Sequence, residues 1–426
     1  MTGKVAPGPR APLAAWLDYI SAQHPAQIAL GLERVREVLG RMDIAPPPFA
    51  ITVGGTNGKG STCAYLECIL RTAGYRVGLY TSPHLLRYNE RVQLAGREAT
   101  DEALADAFAR VEAARGTTAL TYFEFGTLAA LAAFERAQVE VAILEVGLGG
   151  RLDAVNVVDA DCAIVASVDL DHQSWLGDNR EAIGLEKAHI FRPGRPAFFG
   201  DADPPASLVG HAQAIGAPLQ VLGRDFRAIA HHGQWDFTGR RGARRALPLP
   251  ALRGSWQLGN AATALAALDE IAERFPVSIG EVKRGLTAVR LAGRLQVLPG
   301  RPTVVLDVAH NPHAARALAR GLGEMAYHEN TIAVFAMLAD KDIGAVIDAV
   351  AARVDRWHVA TVANERAAST TQLAALLAAR GFAERTRVFA SVPLAHAAAL
   401  REAGPNDRIL VFGSFHTVAD VLAMPR

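Results

Sequence analysis

The chain has 426 residues, more than one hydrophobic core usually organises, so two domains are expected. Hydrophobic residues make up 50% and charged residues 20%, which excludes a disordered protein; 44 Lys plus Arg against 43 Asp plus Glu exclude a field that would draw it to nucleic acid or an anionic membrane. Its three cysteines, Cys63, Cys68 and Cys162, are too few for a disulfide framework, no apolar run has bilayer length, and Asp18 interrupts the only leader-like stretch, so a cytoplasmic location is expected.

Trp16, Leu17 and Ile20 at helical spacing predict a helix over 11–20, and Ile28 to Leu39 a second stopped by Gly40, with Arg34 and Arg36 facing solvent. Pro46-Pro47-Pro48 then delivers the chain to a strand from Phe49 to Val53. The next stretch, Gly54-Gly55-Thr56-Asn57-Gly58-Lys59-Gly60-Ser61-Thr62, opens a helix to about Thr72. Glycines bring several backbone N–H groups to one anion and the helix start adds favourable charge, so this is a phosphate cradle, with Lys59 for the outer phosphates and the Ser61 or Thr62 hydroxyl for magnesium or phosphate. The match to the P-loop pattern is partial: Val53 stands at the first glycine, and Gly60 separates lysine from hydroxyl. A ligand-free glycine turn is the competing reading, disfavoured by the strand before, the helix after and the lysine inside.

Arg76 to Tyr80 predicts another strand, leading to Ser82; Asp101 to Arg115 predicts a helix, and Thr121 to Phe125 precede a further one ending near Ala137. The apolar runs Val139 to Glu145 and Cys162 to Val168 predict strands buried on both faces, hence a parallel sheet covered by helices. Ligands gather at the carboxyl ends of such strands, where the phosphate loop, Ser82, Glu145 and His172 all fall. A carboxylate at the end of an apolar strand needs a cation, and magnesium suits Glu145; His172 is either a ligand or a satisfied structural histidine, and Lys187 taken alone reads as a surface lysine. Residues 196–250 predict a peripheral excursion with Arg240-Arg241 as a solvated charge run, Asn260 to Glu273 a helix, and Leu291 to Pro302 a linker. Strands near 303–307, 331–336, 356–361, 386–390 and 408–413 alternate with Ala-rich helices as a second doubly wound unit, in which Asp307 is either a ribose acceptor or a helix cap.

The segments Gly54 to Thr62, Thr81 to Val92, Leu144 to Asn156, Leu170 to Phe191, Asn260 to Leu268 and Leu306 to Ala314 together resemble the bifunctional dihydrofolate synthase/folylpolyglutamate synthase family, within the Mur-ligase-like ATP-dependent amide-forming enzymes. The resemblance implies an α/β chain: residues 1–298 as an N-terminal P-loop-type domain with a parallel-rich sheet, binding ATP and the pterin substrate, and residues 299–426 as a smaller Rossmann-like glutamate-ligase domain. It implies ATP bound by Thr56, Asn57, Gly58, Lys59, Gly60, Ser61, Asn260, Arg294 and Asp307, and two magnesium ions ligated by Ser82, Glu145, His172 and Lys187 as a carbamate, with Lys59, Lys187 and His172 as the catalytic group. Dihydropteroate falls to Ala26, Gln27, Ile28 and Ala29, to Thr121, Tyr122, Phe123 and Glu124, and to Leu152, Asp153 and Ala154; His310 lies in a family motif without an assigned role.

The implied reaction joins L-glutamate to dihydropteroate and to tetrahydrofolate polyglutamates through an acyl phosphate. The partners are small molecules, with no nucleic acid or membrane, and the enzyme is a monomer. A folylpolyglutamate synthase without the dihydropteroate reaction, another Mur-type amino-acid ligase and a nucleotide-operated switch are the alternatives. The chain departs from the family pattern at Leu291-Ala292-Gly293-Arg294-Leu295, with alanine and leucine for proline and phenylalanine, and at His189, which replaces a glycine.

Overall fold

The computed structural model describes residues 5–8, 11–24, 26 and 28–425. The chain divides into two compact units, Met1–Pro250 with Leu258–Val289, and Ala251–Gln257 with Arg290–Arg426.

The first unit opens with helices α1 (Leu13–Ile20) and α2 (Glu33–Met42). Helix α2 starts later than expected and runs through Gly40; Asp43, left-handed at φ 48°, ends it. An interior glycine costs about 1 kcal/mol, which burial of Met42 beyond it offsets.

Strand β1 (Ala50–Gly54), helix α3 (Lys59–Thr72), strands β2 (Val77–Tyr80), β3 (Val92–Leu94) and β4 (Arg97–Glu98), and helices α4 (Asp101–Arg115) and α5 (Tyr122–Arg136) follow. Then come β5 (Val141–Glu145), β6 (Cys162–Val165), α6 (Gln173–Leu176), α7 (Arg180–Ala188), β7 (Ala197–Phe199), α8 (Ala206–Ala214) and β8 (Leu219–Val221). They build an eight-stranded sheet in the order β4-β3-β2-β5-β1-β6-β7-β8. Only β3 and β4 join it antiparallel.

Every residue of β1, β2, β5 and β6 is buried, the reason these strands read as continuous apolar runs rather than alternating ones. Ten successive residues of α3, Ser61 to Leu70, are buried as well. The helix packs on β1, β2 and β5 and is covered by α10, introduced below. The three cysteines are buried and free.

Residues 197–221 extend the main sheet instead of forming an excursion; three-residue strands leave too little pattern to read. The excursion is an antiparallel meander of β9 (Arg227–His231), β10 (Gln234–Gly239) and β11 (Gly242–Pro248). There Arg240 and Arg241 are exposed and face Glu270 and Glu273, a solvated surface as expected. Helices α9 (Trp256–Glu270) and α10 (Ile279–Ala288) follow. A Cβ on Gly285 of α10 would lie 2.8 Å from the Ile69 Cα, so glycine is what lets α10 approach α3 so closely.

The second unit carries β12 (Gln296–Leu298), β13 (Thr303–Asp307), α11 (Pro312–Glu324), β14 (Thr331–Phe335), α12 (Ile343–Val350), β15 (Arg356–Val359), α13 (Thr370–Ala378), β16 (Thr386–Val388), α14 (Val392–Glu402), β17 (Arg408–Phe412) and α15 (Phe415–Leu422). Its sheet order is β12-β13-β17-β14-β15-β16, parallel except for β12. The segment expected as a linker thus contains a strand of this sheet. Among the described residues no helix is long and apolar enough to cross a membrane.

Candidate active site

The central strands of the first sheet run β2-β5-β1-β6, all parallel, so their carboxyl ends lie side by side about 4.8 Å apart. One rim therefore receives Ser82 after β2, Glu145 at the end of β5, the phosphate loop after β1 and His172 after β6. Four segments distant in sequence become neighbours through strand order alone.

The loop turns at Gly55 (φ 139°) and Gly58 (φ 84°), and α3 begins at Lys59. A Cβ on Gly55 would sit 3.0 Å from the Ala166 N, and one on Gly58 2.7 Å from the Asn260 Oδ1, so Asn260 packs directly on the loop. The chain beyond β6 braces it: the Thr56 N donates to the Ser167 O at 2.8 Å, and the Thr56 hydroxyl donates to the Asp169 O at 3.0 Å. The Ser167 hydroxyl accepts from the Asn57 N at 3.1 Å and donates to the Asn57 O at 3.0 Å. Sequence reasoning misses Ser167 and Asp169, because a serine closing an apolar run carries no pattern of its own. Ser61 and Thr62 follow, both buried, and the Thr62 hydroxyl has no hydrogen-bond partner among the described residues.

Two lysines meet here. The Lys59 Nζ donates to the Gly55 O at 3.0 Å and the Thr56 O at 3.2 Å, and the Lys187 Nζ donates to the same Gly55 O at 3.2 Å. Lys187 is 4% exposed, not the surface lysine its neighbours suggest. It reaches the loop because α7 packs against the glycines after β5: a Cβ on Gly150 would lie 2.6 Å from the Glu186 O and 3.0 Å from the Lys187 Cα. Burial, and next the Lys59 ammonium, push the Lys187 amine down to about 7, against the pull of Asp171 and Asp153. His189 turns its ring toward His211, with centroids 4.3 Å apart.

Glu145 is 5% exposed, and its Oε2 accepts from the Ser82 N at 3.0 Å. His172 is half-buried and left-handed at φ 51°, with Nε2 3.9 Å from Asp171. No three His, Cys, Asp or Glu side chains gather as a metal cluster among the described residues. The Ser82 hydroxyl and the Glu145 carboxylate beside a phosphate cradle nevertheless suit magnesium, which takes few protein oxygen ligands and completes its shell with phosphate and water oxygens; the His172 imidazole is a softer donor.

The predicted pterin segments converge on the same unit. Thr121 and Glu124 form a capping box at the start of α5. Glu124 is buried and also takes Arg34, whose Nη2 lies 2.7 Å from the Glu124 Oε1 and 2.7 Å from the Ala29 O. Arg34 was expected in solvent; it is half-buried because its partner sits in the core. The Gly31 N donates to the Leu152 O at 3.3 Å, joining the third segment. Phe123 lies over Gly147, where a Cβ would come within 2.7 Å of its ring, while Arg91 stacks over Tyr88 and Tyr122. Asp153 accepts from the Leu148 N at 2.8 Å and the Val155 N at 3.1 Å; burial pushes its carboxyl up to about 6 against these N–H groups. Ala26, Ile28 and Ala29 belong to the entering loop; Gln27 lies outside the described residues.

In the second unit, Asp307 ends β13 with both carboxylate oxygens engaged, Oδ2 by the Leu295 N and Oδ1 by the Ala309 N, each at 2.8 Å. It caps no helix: Asn311 caps α11, accepting from the Ala314 N. Arg294 stacks over Phe415 at 5.1 Å, and the His310 ring lies 6.2 Å from Phe415. A cavity of about 600 Å³ lined by Pro46 to Pro48, Tyr75 and Phe275 sits at the opposite rim of the first sheet, among none of these groups.

A phosphate loop opening the main parallel sheet, with a Rossmann-like unit after it, defines the Mur-type class of ATP-dependent ligases. Residues 53–206 match the Mur ligase middle domain and residues 293–415 the Mur ligase glutamate ligase domain. The chain is 46% identical to the dihydrofolate synthase/folylpolyglutamate synthase of Escherichia coli over 98% of its length and 97% of the relative's. Its structure superposes on E. coli FolC in complex with DHPP and ADP at a TM-score of 0.92, 46% identity and 98% of each chain. It matches the Yersinia pestis bifunctional enzyme complexed with AMPPNP and Mn at 0.91 and 46% identity, over 98% of this chain and 99% of that one. The chain belongs to the dihydrofolate synthase/folylpolyglutamate synthase family of Mur ligases.

Proposed function

We propose that the protein uses ATP to join L-glutamate to 7,8-dihydropteroate, giving dihydrofolate, and to tetrahydrofolate and its polyglutamates. The carrying observation is the β2-β5-β1-β6 rim, which sets the Ser82, Glu145, phosphate-loop and His172 segments side by side. A carboxylate acylates poorly because oxide is its leaving group. Transfer of the γ-phosphoryl group to the substrate carboxylate gives an acyl phosphate and ADP. The glutamate nitrogen then attacks the acyl carbon, the tetrahedral intermediate expels phosphate, and the nitrogen loses a proton to leave the amide.

Lys59 and the loop N–H groups offset charge on the transferring phosphoryl group, and Thr56, Asn57, Gly58, Gly60, Ser61 and Asn260 place the nucleotide. Arg294 contributes to the ATP phosphates, and Asp307 contributes to the nucleotide from the second domain, residues 299–426 against 1–298 for the first. Two magnesium ions, when bound, supply further positive charge, with Ser82, Glu145, His172 and Lys187 as ligands. An amine held near 7 is largely neutral at physiological pH, so Lys187 can attack carbon dioxide and lose a proton to become an anionic carbamate. The enzyme works as a cytoplasmic monomer on small molecules.

Purified protein with ATP, magnesium and glutamate is offered dihydropteroate or tetrahydrofolate, and products are weighed by mass spectrometry. Glutamylation of both is expected. Product from tetrahydrofolate alone would leave a monofunctional folylpolyglutamate synthase, and phosphate release independent of both acid and glutamate would leave a nucleotide switch.

A further inference from the structure

We infer that Arg34 is a positioning residue for the acid substrate, holding the backbone at Ala29 against the first turn of α5 and so fixing the shape of the pterin pocket. This role rests on the reading above that dihydropteroate lies among Ala26–Ala29, Thr121–Glu124 and Leu152–Ala154.

The guanidinium spans two segments about ninety residues apart. Its Nε reaches the Glu124 Oε1 at 3.1 Å and Oε2 at 3.3 Å, and its Nη2 reaches the Oε1 and the Ala29 O at 2.7 Å each. Glu124 Oε2 also accepts from the Thr121 N at 2.8 Å. Both oxygens of a side chain only 4% exposed are thus engaged by the scaffold, so Glu124 acts by holding the pocket wall rather than by binding the pterin. Beyond Ala29, the Gly31 N–H to the Leu152 O ties the loop to the third segment, at a backbone angle, φ 144°, that glycine favours. Arginine is needed because one planar fork serves a carboxylate and a carbonyl at once; a lysine ammonium at the same place is a point charge with no such fork.

The test is steady-state kinetics of the full-length enzyme and of Arg34→Ala and Arg34→Lys, titrating dihydropteroate at saturating ATP and glutamate, then ATP at saturating dihydropteroate, with a thermal melt of each. In both variants KM for dihydropteroate is expected to rise about tenfold or more, with kcat and KM for ATP within about threefold of wild type. Arg34→Lys keeps a cation beside Glu124 and so melts nearer to wild type while retaining the KM defect. A wild-type KM in Arg34→Lys would reduce Arg34 to charge compensation, and a parallel fall of kcat with a rise in every KM would reduce it to general stability; either overturns the role. Wild-type turnover with an unmoved KM in both variants overturns this role alone, whereas a wild-type enzyme that makes nothing from dihydropteroate overturns the substrate reading with it.

Discussion

The phosphate loop and the pterin clamp treat charge in opposite ways. At the loop, Lys59 and Lys187 both donate to one carbonyl, and neither forms an ion pair among the described residues. At the clamp, Arg34 and Glu124 neutralise each other and spend their remaining hydrogen bonds on backbone. An ammonium without an ion-pair partner, set beside an amine pushed down to about 7, is unfavourable until a polyanion arrives, so the first arrangement is poised for a ligand; the second is complete without one. Uncompensated charge marks where binding occurs, and compensated charge marks what keeps the walls in place.

That contrast is most exposed at Lys59. Lys59→Ala should lower kcat by roughly a thousandfold, as loss of charge stabilisation at a transferring phosphoryl group does, while the melting temperature holds or rises because a half-buried ammonium without an ion-pair partner is removed. Wild-type phosphate release from this variant would remove the loop from the chemistry. Lys187→Ala should cost about a hundredfold or more, with partial recovery by added short carboxylates such as acetate. Full activity without an additive would return Lys187 to a structural role.

Gly150→Ala probes placement rather than charge. Its Cβ would press on the Glu186 O and the Lys187 Cα, pushing α7 and its lysine off the loop, and kcat/KM should fall by about ten- to a hundredfold with both lysines still present. Unchanged kinetics would mean that the lysine tolerates displacement.

The smallest effect concerns Asp153, whose carboxyl is pushed up to about 6 by burial. Because the folded state binds its proton more tightly than the unfolded chain, ionising it between about pH 4 and pH 6 removes stability, up to about 3 kcal/mol. The stability of wild type minus that of Asp153→Asn, read from urea unfolding, should therefore shrink as pH rises through that window. A gap independent of pH would show that Asp153 titrates normally.

Much of the fold is legible in the residues themselves. Buried parallel strands announce themselves as apolar runs, and the glycines around Lys59 need backbone freedom that few other residues have, so β1, β5, β6 and the loop can be placed from the order of residue types alone. Helix α4 falls on its predicted bounds. Arg34 escapes because a charged side chain reads as solvent-facing even with the buried Val38 one turn on, and only tertiary packing brings a buried carboxylate to it. Strand order is equally hidden: each rim group is visible alone, but nothing local says that β5 lies between β2 and β1. The three-residue strands β7 and β8 escape because three residues are too few to repeat a pattern.

The pairing of Val53 with Glu145 and of Tyr80 with Leu144 has a consequence for how such a chain can change over generations. Adding or deleting a single residue inside β5 would turn every following side chain to the other face and carry the carboxylate away from Ser82. Length variation is therefore barred from these strands, and it has room in the β9-β10-β11 meander, whose tips can grow or shrink without disturbing a ladder that leads to the phosphate loop.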